Sequence, residues 1–189
     1  MEQDAGLVVV EAPLSAARSS AVLDTLRSRF PGKPVTAVVL THHHHDHSGG
    51  LRTYMARGIR VVAHERNVPF ARGVASARKT VAPDRLSRGT AAPTVTGVRD
   101  SLALGGGAGR VVLYALPTTH AEGVLAAWVP SAGVVFASDV LSVIQGQPPQ
   151  RAGSAEMAAF ARAVGISPTR FAGGHGIVAD WSAVEGTAG

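Results

Sequence analysis

Between Thr41 and Gly50 the chain reads Thr-His-His-His-His-Asp-His-Ser-Gly-Gly, so five of ten residues are imidazoles and one is a carboxylate. Imidazole nitrogen and carboxylate oxygen are the donors that zinc and iron(II) accept, and neutral histidine is the commonest metal ligand in proteins. Metal binding is therefore the chemistry to which this stretch points. Three further polar residues stand where apolar runs end: His120 after Arg110–Leu116, Asp139 after Val134–Ala137, and His175 after Arg170–Ala172. Each alone is more often a satisfied core or surface residue. Strand ends on one side of a sheet are nevertheless where sites are built.

The surrounding pattern supplies elements to position these groups. Leu7–Glu11 reads as a short strand, and Ser15 as the cap of a helix from Ala16 to Phe30 with Val22, Leu23, Leu26 and Phe30 facing inward. Pro31-Gly32-Lys33-Pro34 stops that helix, Val35–Leu40 is a buried strand, Leu51–Arg57 a short helix and Ile59–Ala63 another strand. The His-rich stretch thus lies on a strand-to-helix loop, and the alternation implies a sheet with helices on its face. Asn67–Lys79 reads as helical and Val81–Ala92 as a loop. From Thr94 the pattern turns to β, with Thr94–Val98, Ser101–Leu104, Arg110–Leu116, Gly123–Val129 and Val134–Ala137. Gly105–Gly109 is a flexible hairpin loop, Ala155–Val164 a helix, Arg170–Ala172 a last strand and Asp180–Val184 a final helical turn. No repeat or linker interrupts residues 1–189, which read as one domain.

Composition narrows the field. The 46% apolar and 16% charged content of 189 residues is that of a globular chain. No run reaches the roughly 18 uninterrupted apolar residues of a membrane span. The absence of cysteine excludes disulfides and thiolate ligands. The acidic start Met1-Glu2-Gln3-Asp4 lacks a secretory pattern, so a cytoplasmic location is the default. The formal charge is +5, with arginines crowded from Arg52 to Arg88. Only Tyr54 and Phe70 are aromatic there, without the regular interleaving a single-strand binder needs, so a solvated helical face is favoured over nucleic-acid binding, with a mild preference for an anionic small-molecule substrate.

Taken together, His42-His43-His44-His45-Asp46-His47, followed in order by His120, Asp139 and His175, resembles the metallo-β-lactamase superfamily, whose first motif is His-x-His-x-Asp-His. The resemblance runs from Leu7 onward and implies an α/β, four-layer αββα sandwich. It also implies two zinc ions per chain, with iron or manganese as the alternatives. His42, His44 and His120 would hold one ion; Asp46, His47 and His175 the second; Asp139 would bridge them. A hydroxide between the metals would attack an ester, thioester, lactone or related acyl or phosphoryl bond, with Asp46 orienting it or accepting its proton. His43 and His45 alternate with these residues and should point away. His64 reads as a helix cap, and Glu11 as a hydrogen-bond partner of a ligand.

Departures from the family refine the expectation. Aspartate at 139, where several β-lactamase branches carry Cys or Ser, resembles the thioesterase, lactonase and phosphodiesterase branches. The strands that normally precede Leu7–Glu11 are missing. A shortened sandwich would leave an unpaired edge there, open to homodimer pairing, and an exported parent stays open as a reading if the start is internal. Two other readings stay open: a mononuclear iron oxidoreductase acting on persulfides through His42, His120 and Asp139, and an inert metal-binding remnant. Substrate choice would rest with the loops Ala63–Pro93 and Val140–Ser154.

Overall fold

Alternating strands and helices make up the first half of the computed structural model, which describes residues 1–188. The chain divides into two compact units, Met1–Arg99 and Asp100 onward. In the first, β1 (Glu2–Gln3), β2 (Gly6–Val10), β3 (Val35–Leu40), β4 (Arg60–His64) and β5 (Val95–Val98) form one sheet in that spatial order. β2 to β5 are all parallel, which requires the intervening helices as crossovers. These are α1 (Ala16–Arg29), the short α2 (His45–Ser48) and α3 (Leu51–Met55), and α4 (Val68–Ser76) with α5 (Arg85–Arg88). The central strand β3 is buried from Ala37 to Leu40, as a strand covered on both faces must be.

The helix predicted from Ala16 forms as expected, its Ser15 side chain accepting from the Arg18 N–H at 3.3 Å. Of its predicted inward stripe only Leu23 is fully buried, and Ser19 is buried beside it. The short α5 falls in a stretch expected to be loop, capped by Asp84. The expected bare edge beside Leu7 is corrected: Glu2 and Gln3 pair antiparallel with Leu7 and Gly6, and Val8 exchanges two hydrogen bonds with Met1.

The second unit is built on antiparallel pairing. β6 (Ser101–Leu104), β7 (Val111–Leu116), β8 (Val124–Val129) and β9 (Val134–Phe136) form a meander; β10 (Arg170–Ala172) joins β9 in parallel, and β11 (Ala179–Asp180) closes the edge. Helices α6 (Arg151–Val164) and α7 (Trp181–Ala188) supply the apolar cover, with Met157, Phe160, Trp181 and Val184 in one core with Val135 and Phe171. α6 begins four residues earlier than its apolar pattern suggests, at Arg151, and ends at Gly165 with φ 68°. Among the described residues no helix is long and apolar enough to cross a membrane.

One arginine of the basic region is turned inward. Arg52 holds Asp84 through Nε and Nη2 at 2.5 and 2.9 Å, donates to the Val74 and Ala77 carbonyls, and reaches Ser87 Oγ at 2.9 Å. It thereby fastens the 74–88 segment to α3. The same hydrogen bonds hold the Asp84 carboxyl well below the usual carboxylate range. A depressed carboxylate contributes stability that is present above its unfolded value of 3.8 and is lost as pH falls towards its folded value. Asp84→Asn is therefore expected to cost about 2 kcal/mol at neutral pH. Chemical denaturation should also show a shallower loss of stability for the variant than for the wild type below about pH 4.

Candidate metal centre

Parallel strands present their carboxyl ends along one edge of a sheet, where open α/β sheets place their sites. In the first unit Glu11 follows β2, Thr41 to His44 follow β3, and His64 ends β4. Backbone hydrogen bonds lace the first two loops together: Ala12 N–H to the His47 carbonyl at 3.0 Å, Leu14 N–H to Asp46 at 3.1 Å, and Gly50 N–H to Ala12 at 2.8 Å. Gly50 has to be glycine for this fit, because a methyl group there would collide with Ser19 Oγ and the Ser15 carbonyl at the start of α1.

Inside this edge a carboxylate oxygen organises two imidazoles. Glu11 Oε1 accepts from Thr41 Oγ1 at 2.9 Å and lies 2.8 Å from His47 Nδ1. Thr41 Oγ1 is in turn 3.2 Å from His42 Nδ1. Since the threonine proton goes to Glu11, the hydroxyl oxygen accepts from His42, and an ionised Glu11 can only accept from His47. Both histidines then carry their proton on Nδ1 and keep the Nε2 lone pair for another partner. Glu11, His42, His47 and Thr41 are all buried. The expected hydrogen bond between Glu11 and a predicted ligand is present, with His47 Nδ1–H donating to the carboxylate. Thr41 is the member that sequence reasoning did not single out; its only signal is a hydroxyl immediately before the first histidine.

The remaining histidines sort by contact. The His44 ring stands 4.6 Å from that of His42, and the His42 and His47 rings are also 4.6 Å apart. Asp46 Oδ2 is 3.0 Å from His47 Nε2. His42, His44, Asp46 and His47 thus lie together. His43 turns aside to pack edge-on against Phe70, with ring centroids 5.9 Å apart. His45 is exposed. His64 caps the turn Glu65–Asn67, its Nδ1 accepting from the Arg66 N–H at 3.2 Å.

The second unit gathers the other three predicted residues. β7 and β9 both run antiparallel to β8, and β10 is parallel to β9, so all three strands end on the same side of their sheet. His120, Asp139 and His175 follow those ends. One oxygen of Asp139 faces each imidazole: Oδ2 lies 3.4 Å from His120 Nε2, and Oδ1 lies 3.4 Å from His175 Nε2. Asp139 is held in this orientation with φ 61°, in the left-handed region.

The donor chemistry of each set fits a divalent metal. Two ligand atoms on one tetrahedral zinc, each about 2.0–2.1 Å from the ion, stand about 3.3–3.4 Å apart. Both nitrogens facing Asp139 have that spacing, and its two oxygens point at different imidazoles, as a carboxylate shared between two ions would. In the first unit the His47 Nε2 lone pair and an Asp46 oxygen face each other at 3.0 Å. Two acceptors so close need a positive charge, a proton or a cation, to hold them.

Comparison with known proteins agrees with this geometry. The family model described as metallo-beta-lactamase superfamily matches residues 2–177. The chain belongs to the metallo-β-lactamase superfamily, whose members are mostly hydrolases. Its mixed α/β fold is that of solved metallo-β-lactamases. A metallo-beta-lactamase from Pontibacter korlensis superposes with a TM-score of 0.73 at 18% identity, covering 99% of this chain and 82% of that one. One from Erythrobacter litoralis gives 0.68 at 16%, covering 99% and 80%, and TMB-1 gives 0.68 at 14%, covering 97% and 79%. An (R)-specific secondary-alkylsulfatase from Pseudomonas sp is 42% identical over 52 residues, 28% of this chain and 8% of that protein.

Because Glu11 sets which nitrogen of His42 and His47 is left for a metal, Glu11→Gln should weaken zinc binding about tenfold to a hundredfold. Competition with a chromophoric chelator checks this, with the melting temperature recorded to separate lost affinity from lost fold.

Proposed function

We propose that the two strand-end sets together hold a pair of divalent metal ions, and that the protein is a metal-dependent hydrolase. His42, His44 and His120 would ligate one ion, and Asp46, His47 and His175 the other, with Asp139 shared. The observation that carries this reading is Asp139, whose two carboxylate oxygens each face a different imidazole at 3.4 Å. Family membership and the Nδ1 protonation set by Glu11 and Thr41 support it. Zinc is the expected metal, since the donors are imidazole and carboxylate without thiolate.

When bound, such a metal pair supplies the Lewis acidity that brings the pKa of water to about 7 and polarises an acyl, phosphoryl or sulfuryl oxygen. The chain's own contribution is orientation. Glu11 and Thr41 fix the rings of His47 and His42. Asp46, its side chain 41% exposed, is open to solvent and is assigned the proton of the attacking water. Aspartate at position 139 favours thioesters, lactones and phosphodiesters as substrates. The short match to an alkylsulfatase adds alkyl sulfate esters, and the structural neighbours add β-lactams. The substrate is a small molecule in each case.

Metal analysis and a substrate panel test the reading. Two zinc ions per chain and turnover of at least one of these ester or amide classes are expected. Asp139→Ala should lose metal and fall to background rate while keeping its helical circular-dichroism signal. One iron per chain, with oxygen uptake on a thiol persulfide, would replace hydrolysis with oxidation. A zinc-loaded chain inert to the whole panel would leave metal binding without catalysis.

A further inference from the structure

The second unit exposes three large aliphatic side chains among its described residues: Ile144 at 53%, Ile177 at 43% and Val178 at 58%. Single exposed apolar residues are ordinary, but these are not scattered. All three lie on the two segments that leave the candidate metal ligands, one running from Asp139 to Ile144 and the other from His175 to Val178. A parallel bridge pairs Val143 with Gly176, and the Ile177 N–H donates to the Val143 carbonyl at 2.8 Å. The bridge requires Gly176, because a methyl group there would collide with the Val143 carbonyl oxygen.

That pairing sets Ile144 beside Ile177 in register. Val143 is buried, so strand alternation turns Ile144 outward. His175, two residues before Ile177, has a side chain that is 54% exposed. The two segments are themselves uncharged: no Asp, Glu, Lys or Arg occurs from Val140 to Gln150 or from Ala172 to Ala179. An uncharged aliphatic ridge therefore follows directly on Asp139 and His175 along the chain.

We infer that Ile144 and Ile177 form the wall on which the hydrocarbon chain of the substrate lies, so that the substrate is an ester or thioester with an aliphatic chain. This rests on the metal-centre reading above. Continuity with Asp139 and His175 makes a substrate chain the occupant: a group held at the ligands has its next carbons beside this ridge. A second copy of the protein is the competing occupant.

The test is isothermal titration of zinc-loaded protein with acetate, butanoate, hexanoate and octanoate, whose carboxylates bind metal while their chains report on the ridge. Full burial of a methylene corresponds to about fourfold in affinity, so a half-covered chain should gain about twofold per methylene. In the double variant Ile144→Ser/Ile177→Ser the gain should fall to near nothing, with zinc content and acetate affinity unchanged. A wild type indifferent to chain length, or a variant with the wild-type slope, overturns the inference. So does sedimentation that shows a dimer in the wild type and a monomer in the variant while the slope persists. Zinc content, measured first, separates the readings. Protein that holds no zinc removes the metal centre and this ridge with it, whereas zinc-loaded protein without chain-length dependence removes the ridge alone.

Discussion

A buried carboxylate oxygen, Glu11 Oε1, is the constraint on which the first unit's contribution depends. Taking a carboxylate out of water costs several kcal/mol unless donors replace the lost solvent. Here the donors are Thr41 and His47, and through Thr41 the same oxygen fixes His42. The arrangement links the carboxyl ends of two parallel strands, β2 and β3, so imidazole orientation is set by the sheet rather than by a loop free to move. A longer acid than aspartate reaches this point from a backbone at φ 71°. That left-handed conformation costs on the order of 1 kcal/mol for a non-glycine residue. It is held by the Glu11 N–H to Val39 and the Ala12 N–H to His47.

Asp139 repeats the device in the second unit. It too follows a strand and adopts a left-handed backbone, at φ 61°, and it too lies between imidazoles. Leu14 is the other non-glycine residue among those described with positive φ, and its N–H binds the Asp46 carbonyl. Among the described residues, left-handed backbone at non-glycine positions is thus confined to the carboxylates beside the histidines and to the loop that braces them. Strain at such points persists only where the surroundings over-determine it, and the hydrogen bonds around Glu11 and Leu14 do so.

Much of this was legible in the sequence, for reasons that differ by residue. The histidine run could be read because its donors are consecutive, and its neighbours Val35–Leu40 and Leu51 placed it on a strand-to-helix loop. His120, Asp139 and His175 could be located because each follows an apolar run that ends abruptly. The change to β pattern near Thr94 fell close to the unit boundary after Arg99. Thr41 was not legible, since a hydroxyl before a histidine has no periodicity to mark it. The pairing of Met1 to Gln3 with β2 was missed because an acidic strand of two residues carries no apolar alternation. The α5 turn was hidden in a polar stretch, where an Asp84 cap and an Arg52 partner, distant in sequence, decide the conformation.

Several side chains of the basic region serve the fold. Arg52 spends all its donors within the first unit, on Asp84, Ser87 and two carbonyls, and Arg99 is paired with Glu65. Arg57 and Arg88 donate to the Thr53 and Pro83 carbonyls. A guanidinium committed to carbonyl and carboxylate oxygens contributes to the fold, and one paired with a carboxylate has its charge offset locally. Uncommitted apolar surface is different: it is unfavourable in water and gains only when something covers it. In the second unit that surface adjoins His175 and Asp139. On the reading proposed above, selection at those residues would come from hydrophobic burial, with charge recognition left to the metal centre.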